Sequence, residues 1–331
     1  MRYACSPLDD PALALEVATQ ANFDAARYLL ANPDIAAWAR TGGDPRFHLD
    51  SHGLAEGRRQ LSTDFHAGLV ARARAKYARF APILDPARGA GGAFRWLDRD
   101  GAFPIAYGAD HLDLSRYDGE SAHGGLGDFD AEIAAHPDRL YLDVGCGLRR
   151  EGFDNCLYLE VYRSASADLV IEPACTYPIA DATLDGIGCF AVLEHVTEPW
   201  IAAAEFRRML KPGGLLFIDW PFLQPVHGYP SHHYNATREG LRRMFDDGFD
   251  LIDLATRDNQ TPERALRWLL RGWIDGITDP ALRTGFGART VEQILAEPPQ
   301  SAFWQQMLAA TPADIRETYA CGNTLVARRT G

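Results

Sequence analysis

The 331-residue chain reads as a doubly wound α/β protein, and three stretches predict that class. Residues 140–160, LYLDVGCGLRREGFDNCLYLE, open with an apolar run ending at Asp143, turn through Gly145 and Gly147, and reach a second apolar run that closes on an acid, Glu160. Residues 168–172, DLVIE, repeat the short apolar strand that ends in an acid. A third stretch starts at Pro199, keeps Ala202, Phe206, Met209 and Leu210 on one helical face, and stops at Lys211-Pro212-Gly213-Gly214, ahead of another apolar run at 215–220. A strand, a glycine turn and an acid at the next strand end are the usual means by which such a sheet holds the adenosine part of a cofactor.

The elements follow in order. Asp9 or Asp10 before Pro11 predicts a helix start, and Ala12, Leu15, Ala18, Ala26, Leu29 and Leu30 recur at helical spacing as far as Asn32-Pro33. From Leu61 through Phe65, Leu69, Ala73, Tyr77 and Phe80 the apolar period predicts one long amphipathic helix. Its other face carries Arg72, Arg74, Lys76 and Arg79, after Arg58 and Arg59, and reads as a solvated flank or an interface with the acidic body. Gly89 to Gly92 read as a linker, and the Gly- and Asp-rich segment behind them as irregular, with a small hairpin around 102–107. Strands are expected at 140–143, over the apolar run that ends at Glu160, and at 168–172, 184–191, 215–220, 250–256 and 324–328, and Thr237 caps a helix holding Leu241, Met244 and Phe245 inward. Three segments result: a helical extension over 1–88, a linker over 89–136, and a main domain over 137–331 with a helical insertion at 258–321.

A dinucleotide does not suit the glycine turn. Its fingerprint needs a third glycine three positions after the second, and Arg150 stands there. The order acid, any residue, Gly, any residue, Gly, filled by Asp143, Gly145 and Gly147, instead resembles the first motif of class I S-adenosylmethionine-dependent methyltransferases. Further patterns of that family recur in order: Tyr177-Pro178-Ile179-Ala180-Asp181, Leu184-Asp185, Val192-Leu193-Glu194-His195-Val196 and Arg208-Met209-Leu210-Lys211-Pro212-Gly213-Gly214. The resemblance implies a seven-stranded, mostly parallel sheet whose last strand is antiparallel. One position departs from it. Arg149 stands where the family places a glycine, so its guanidinium must swing out or contact the cofactor carboxylate. Asn22-Phe23, Tyr28-Leu29, Asn32-Pro33-Asp34-Ile35, Asp44-Pro45, His48, Gly53 and Glu56-Gly57-Arg58 also resemble a short helical module found ahead of bacterial methyltransferases and glycosyltransferases of surface-glycan clusters.

The resemblance implies a cofactor site made of Asp143, Gly145, Cys146, Gly147, Arg149, Glu160, Val161, Glu172, Pro173, Ala174, Phe190, Ala191 and His195, with S-adenosylmethionine as ligand. Glu160 would hold the ribose hydroxyls, Glu172 to Ala174 would flank the adenine, Phe190 and Ala191 would line the methionine end, and Asp143 would order the turn and reach the amino group. Methyl transfer is an in-line displacement that must hold the acceptor and take a proton from a hydroxyl. His227, His232 and His233, three of the ten histidines, crowd a loop at the carboxyl end of the 215–220 strand and make the catalytic candidates with Tyr234. His227 or His232 is the expected general base. Relatives that use a metal carry Glu-x-x-Glu-His, whereas Ala191 stands at the first of those positions here. Glu194, His195 and a loop histidine could still supply three ligands, but no metal is expected.

A formal charge of -12 disfavours a general nucleic-acid or anionic-membrane partner. No export signal and no long apolar run appear, so a cytoplasmic protein is expected. The six cysteines form no CxxC pair and read as buried free thiols. The expected partner is a small-molecule acceptor, a hydroxyl of a sugar or secondary metabolite. Two other readings stay open: a non-catalytic adenosyl-binding or scaffold protein obstructed by Arg149, and an RNA methyltransferase using the Arg-rich helix. The aromatic-rich insertion reads as an acceptor lid, a homodimer contact or a packing helix pair.

Overall fold

The computed structural model describes residues 2–4, 14–86, 94–97, 101–108, 122–123, 126–149, 151–164, 166–171, 176–228, 231–321, 324 and 328. They form two compact units, residues 1–219 and 220–331. This division differs from the three segments expected, because residues 95–107 belong to the main sheet.

The first unit is built on seven strands: β1 Arg95–Trp96, β2 Ile105–Tyr107, β3 Tyr141–Val144, β4 Cys156–Glu160, β5 Leu169–Ile171, β6 Leu184–Phe190 and β7 Leu210–Asp219. Their order across the sheet is β7-β6-β3-β4-β5-β2-β1. Every neighbouring pair is parallel except β1–β2. All residues of β2, β3, β4 and β5 are buried, which for strands with side chains on alternate faces means both faces are covered. The seven-stranded, mostly parallel α/β sheet is as expected, but its outer strands are not. Residues 250–256 form no strand. Most of 324–328 lies outside the described residues. The outer strands come instead from the segment read as linker, where the hairpin expected around 102–107 pairs Arg95 with Ala106 and Trp96 with Ile105.

Helix α1, Ala25–Ala31, is capped by Asp24, and α2 is Pro33–Arg40. Residues 15–17, expected in a helix, form a strand paired with Arg59–Leu61. The long helix is α3, Thr63–Phe80, capped by Ser62. Its basic face includes an interface with the body: buried Lys76 pairs with Asp168 at 2.5 Å, and Arg79 donates to the carbonyls of Pro137 and Arg139. Tyr77 of α3 lies 5.0 Å from Trp96 and 5.4 Å from Phe103, so this helix also covers the outer hairpin. Helix α4, Asp128–Ala135, buries Phe129 and Ile133 against Tyr141, and α5, Pro199–Met209, buries Ala202, Ala203, Phe206 and Met209.

The second unit is helical: α6 Arg238–Met244 capped by Thr237, α7 Pro262–Gly276, α8 Pro280–Gly287, α9 Val291–Ala296, α10 Ala302–Ala309 and α11 Ala313–Thr318. Its core gathers Ile277, Phe286 and Met307, and Trp273 stacks on Trp304 at 5.6 Å. Gly272 and Gly276 set the closeness of α7 and α11, since a Cβ at either would meet Tyr319 or Ile315 inside van der Waals contact. Among the described residues no helix is long and apolar enough to cross a membrane.

Candidate functional site

The sheet order places the reversal of chain direction between β3 and β6: from β3 the chain winds one way through β4 and β5, then returns to β6 on the other side. In an open α/β sheet the crevice at the carboxyl ends of such strands is where ligands bind. Each expected cofactor residue that is described in the first unit lies at this edge or on the turns leaving it.

The glycine turn after β3 is held from β4. Gly145 and Cys146 both donate to the carbonyl of Leu159, at 2.9 and 3.0 Å. Gly145 and Gly147 take φ of +67° and +56°, a region that side chains disfavour, and a Cβ on Gly145 would stand 2.2 Å from Val192 Cγ2. Glu160 fastens the turn through one carboxylate oxygen, Gly147 N–H donating to Oε1 at 3.0 Å, while its other oxygen, Oε2, accepts the N–H of its own neighbour Val161 at 2.9 Å. The acid expected on the ribose is therefore also the anchor of the loop beside it. Cys146 is buried, and burial pushes its thiol well above the ordinary range, so it packs as a neutral group.

The crossing from β3 to β4 contains no helix among its described residues. Parallel strands are usually joined by a helical crossover. Here Leu148–Arg149 pairs with Ala122–His123, and Glu151–Phe153 pairs with Arg2–Ala4. Arg149 is turned inward, 5% exposed, with Nε 2.9 Å from Asp143 Oδ2 and Nη2 on the same oxygen. Two serines hold the backbone of this stretch. Arg149 N–H donates to Ser166 Oγ at 2.7 Å, Ser166 Oγ donates back to the Arg149 carbonyl, and Ser164 Oγ donates to Gly147 O. Asp143 Oδ1 and Arg149 Nη1 are buried with no hydrogen-bond partner among the described residues. Burial lifts the Asp143 carboxyl to about 6, with Arg149 opposing it.

At the end of β6, Phe190 turns its ring to Phe129, 5.7 Å away, and so serves the core. Ala191 has φ +53°, the strained left-handed region, and donates to the Asp219 carbonyl at 2.9 Å. Glu194 and His195 follow on a 3-10 turn, Leu193–His195. Glu194 is wholly buried, neither of its carboxylate oxygens has a hydrogen-bond partner among the described residues, and His195 Nε2 stands 3.9 Å away. Burial lifts this carboxyl to about 7. Glu172, Pro173 and Ala174 lie outside the described residues.

The histidine loop belongs to the second unit and is cinched at its base, Ala236 N–H donating to Pro221 O at 3.0 Å and the Trp220 indole to Tyr234 O. The two candidate bases differ in their bonding. His227 Nδ1 lies 2.8 Å from the Pro225 carbonyl, which only a protonated nitrogen can satisfy, so Nε2 carries the lone pair of the neutral ring. His232 accepts His227 N–H at Nδ1 and donates from Nε2 to Asn235 Oδ1 at 2.8 Å. His232 thus orients His227, whose ring packs 4.6 Å from His232 and 4.8 Å from Trp268. Burial holds His227 below the usual histidine range. His233 and Tyr234 are exposed, their rings 6.2 Å apart.

Sequence reasoning passed over Ser164, Ser166 and Asn235. Their short polar side chains in loops were the available signal.

Residues 142–218 match the family model described as a methyltransferase domain. An uncharacterised 37.1 kDa protein of transposon TN4556 from Streptomyces fradiae is 32% identical over 113 residues, 28% of this chain and 33% of that protein. Two solved structures of Haemonchus contortus phosphoethanolamine N-methyltransferase 2 are similar at 14% and 16% identity, each with a TM-score of 0.30. One holds S-adenosyl-L-methionine, the other phosphomonomethylethanolamine and S-adenosylhomocysteine. They align with 56% and 57% of this chain and 48% and 51% of their own, so the chain spans about half the length of those structures and a third of the transposon protein. The segment from β3 to β7 thus matches a methyltransferase domain.

Proposed function

We propose that this chain, built around that domain, transfers a methyl group from S-adenosylmethionine to a small polar acceptor, a hydroxyl of a sugar or a secondary metabolite. The observation that carries the reading is the glycine turn at the reversal point of the sheet, inside the matched segment and pinned by Glu160. The residues suit the nucleoside. Glu160 offers a carboxylate whose oxygens each accept more than one donor, and the turn brings backbone close to whatever lies above it. When bound, S-adenosylmethionine supplies an electrophilic methyl on a sulfonium. Glu160 and the turn bind and orient the nucleoside, and His227, with its lone pair on Nε2, takes the proton of the acceptor hydroxyl. His232 and Asn235 keep that ring in place.

Calorimetric titration tests the reading. Folded protein is expected to bind both S-adenosylmethionine and S-adenosylhomocysteine, and Glu160→Ala to weaken binding by one to two orders of magnitude, about 1.5 to 3 kcal/mol. No heat with either nucleoside would remove the enzyme. A second reading, a non-catalytic adenosyl-binding protein, is favoured by the burial of Arg149 at a position where the family carries glycine. It predicts that the nucleosides bind while no hydroxyl acceptor is methylated.

A further inference from the structure

Between α2 and the Arg59–Leu61 strand the chain turns helical once more. Asp44 caps Pro45–His48, a π turn follows at Leu49–Gly53, and Glu56 N–H donates to the His52 carbonyl at 3.0 Å, so His48, His52 and Glu56 fall on successive turns of one run. Two histidines four apart on a helical face are an arrangement that chelates zinc. The π turn is itself unusual, since such turns are rare and gather at functional sites, and it packs Gly53 where a Cβ would stand 2.4 Å from Tyr28 Oη.

The two rings differ in how they are held. His48 is fixed from behind: its Nδ1 lies 3.0 Å from Oη of the fully buried Tyr28, and the Trp38 ring stands 6.2 Å away. His52 is exposed, and its ring centre lies 5.7 Å from that of His48. Neither Nε2 of His48 nor either ring nitrogen of His52 has a hydrogen-bond partner among the described residues. Two imidazoles each about 2 Å from one tetrahedral ion have ring centres about 5 Å apart, so a small rotation of the exposed ring brings the pair to bonding distance. A protein partner on the second nitrogen is what orients a metal-bound histidine, and Tyr28 supplies it. Glu56, paired with Arg58, adds a negative charge within electrostatic reach of both rings.

We propose that His48 and His52 hold a divalent transition-metal ion of the zinc class on the surface of this segment. His48 binds through Nε2 while its Nδ1 proton donates to Tyr28 Oη, His52 supplies the second nitrogen, and water completes the shell. The site shares no residue with the glycine turn and is independent of the methyl-donor reading.

The test titrates the full chain with zinc chloride in a non-chelating buffer, by calorimetry and by thermal melting, for wild type beside His52→Ala. Because His52 is exposed, the variant is expected to melt as wild type does without metal. Wild type is expected to take up one zinc ion per chain more than His52→Ala and to gain a rise in melting temperature on adding zinc that His52→Ala lacks. Any ion taken up at Glu194 and His195 is common to both proteins and cancels in the comparison. Tyr28→Phe keeps both ligands but frees Nδ1, and is expected to weaken zinc at this site about tenfold. Equal zinc uptake and equal melting shifts in wild type and His52→Ala overturn the site, as does a His48→Ala variant, folded by the same melt, that binds zinc as wild type does.

Discussion

The ends of two neighbouring strands each bury a carboxylate, and they treat it differently. Asp143 at β3 has a guanidinium on one oxygen and is lifted only to about 6. Glu194, just past β6, has no hydrogen-bond partner among the described residues and is lifted to about 7. Burial is the first cause in both; beside Asp143 the Arg149 guanidinium opposes it, whereas beside Glu194 the charge of Asp219 adds to it. The β3 side is a charge pair over the neutral range, whereas the β6 side holds a proton that leaves near neutrality.

The largest expected effect breaks the β3 side. Arg149→Met leaves Asp143 uncompensated and should lower stability by about 3 to 5 kcal/mol in thermal or denaturant melts at neutral pH. The Asp143→Asn/Arg149→Met double variant should regain most of it. A double variant as unstable as the single one would mean that guanidinium packing, rather than charge, is what matters there.

Next comes the β6 side. The folded protein holds the Glu194 proton more tightly than the unfolded chain, so its contribution is present below the ordinary carboxylate value of 4.5 and is lost as pH rises through about 7. The interval corresponds to about 3 kcal/mol. Glu194→Gln should therefore match wild type near pH 4 and exceed it at pH 8. Asp143 titrates in the same sense and leaves a smaller residual slope. Parallel pH profiles for wild type and Glu194→Gln would place the Glu194 carboxyl in water.

Turnover separates two candidate proton acceptors, Glu194 and His227. With an acceptor in hand, His227→Ala should lower kcat about a hundredfold while sparing S-adenosylhomocysteine affinity, and His232→Ala should lower it less than tenfold. A Glu194→Gln variant that loses turnover while His227→Ala keeps it would move the proton step to β6.

What could be read in advance follows from how local the signal is. The turn from Asp143 to Gly147, the acid Glu160 and helix α5 are all local, and the structure has them, although the helix ends at Met209 and Lys211-Pro212-Gly213-Gly214 are drawn into β7, which opens at Leu210 rather than at 215. Strands β1 and β2 are short, lie in a Gly- and Asp-rich stretch, and owe their pairing to β5, far along the chain. Nothing within ten residues of them announces that partner. Leu15 to Val17 misled because Ala12, Leu15 and Ala18 also satisfy a helical period, and the Arg59–Leu61 strand decided the matter. In the site, Arg149 was conspicuous as a departure, but its inward turn onto Asp143 is a tertiary contact. Glu194 read as part of a family pattern, while its burial without a hydrogen-bond partner among the described residues is a property of packing that no residue string displays.

The outer strands carry a lesson for anyone dissecting the protein. A fragment beginning at residue 137 would keep every glycine of the turn yet lose β1, β2 and α3 together. Strand β5 would then present a bare, apolar rim, the kind of edge that recruits other chains into aggregates. Asp168, stripped of Lys76, would be left as an ionisable group in the interior. The segment from 137 onward is thus not a portable module, and α3, β1 and β2, between residues 63 and 107, act as its missing flank.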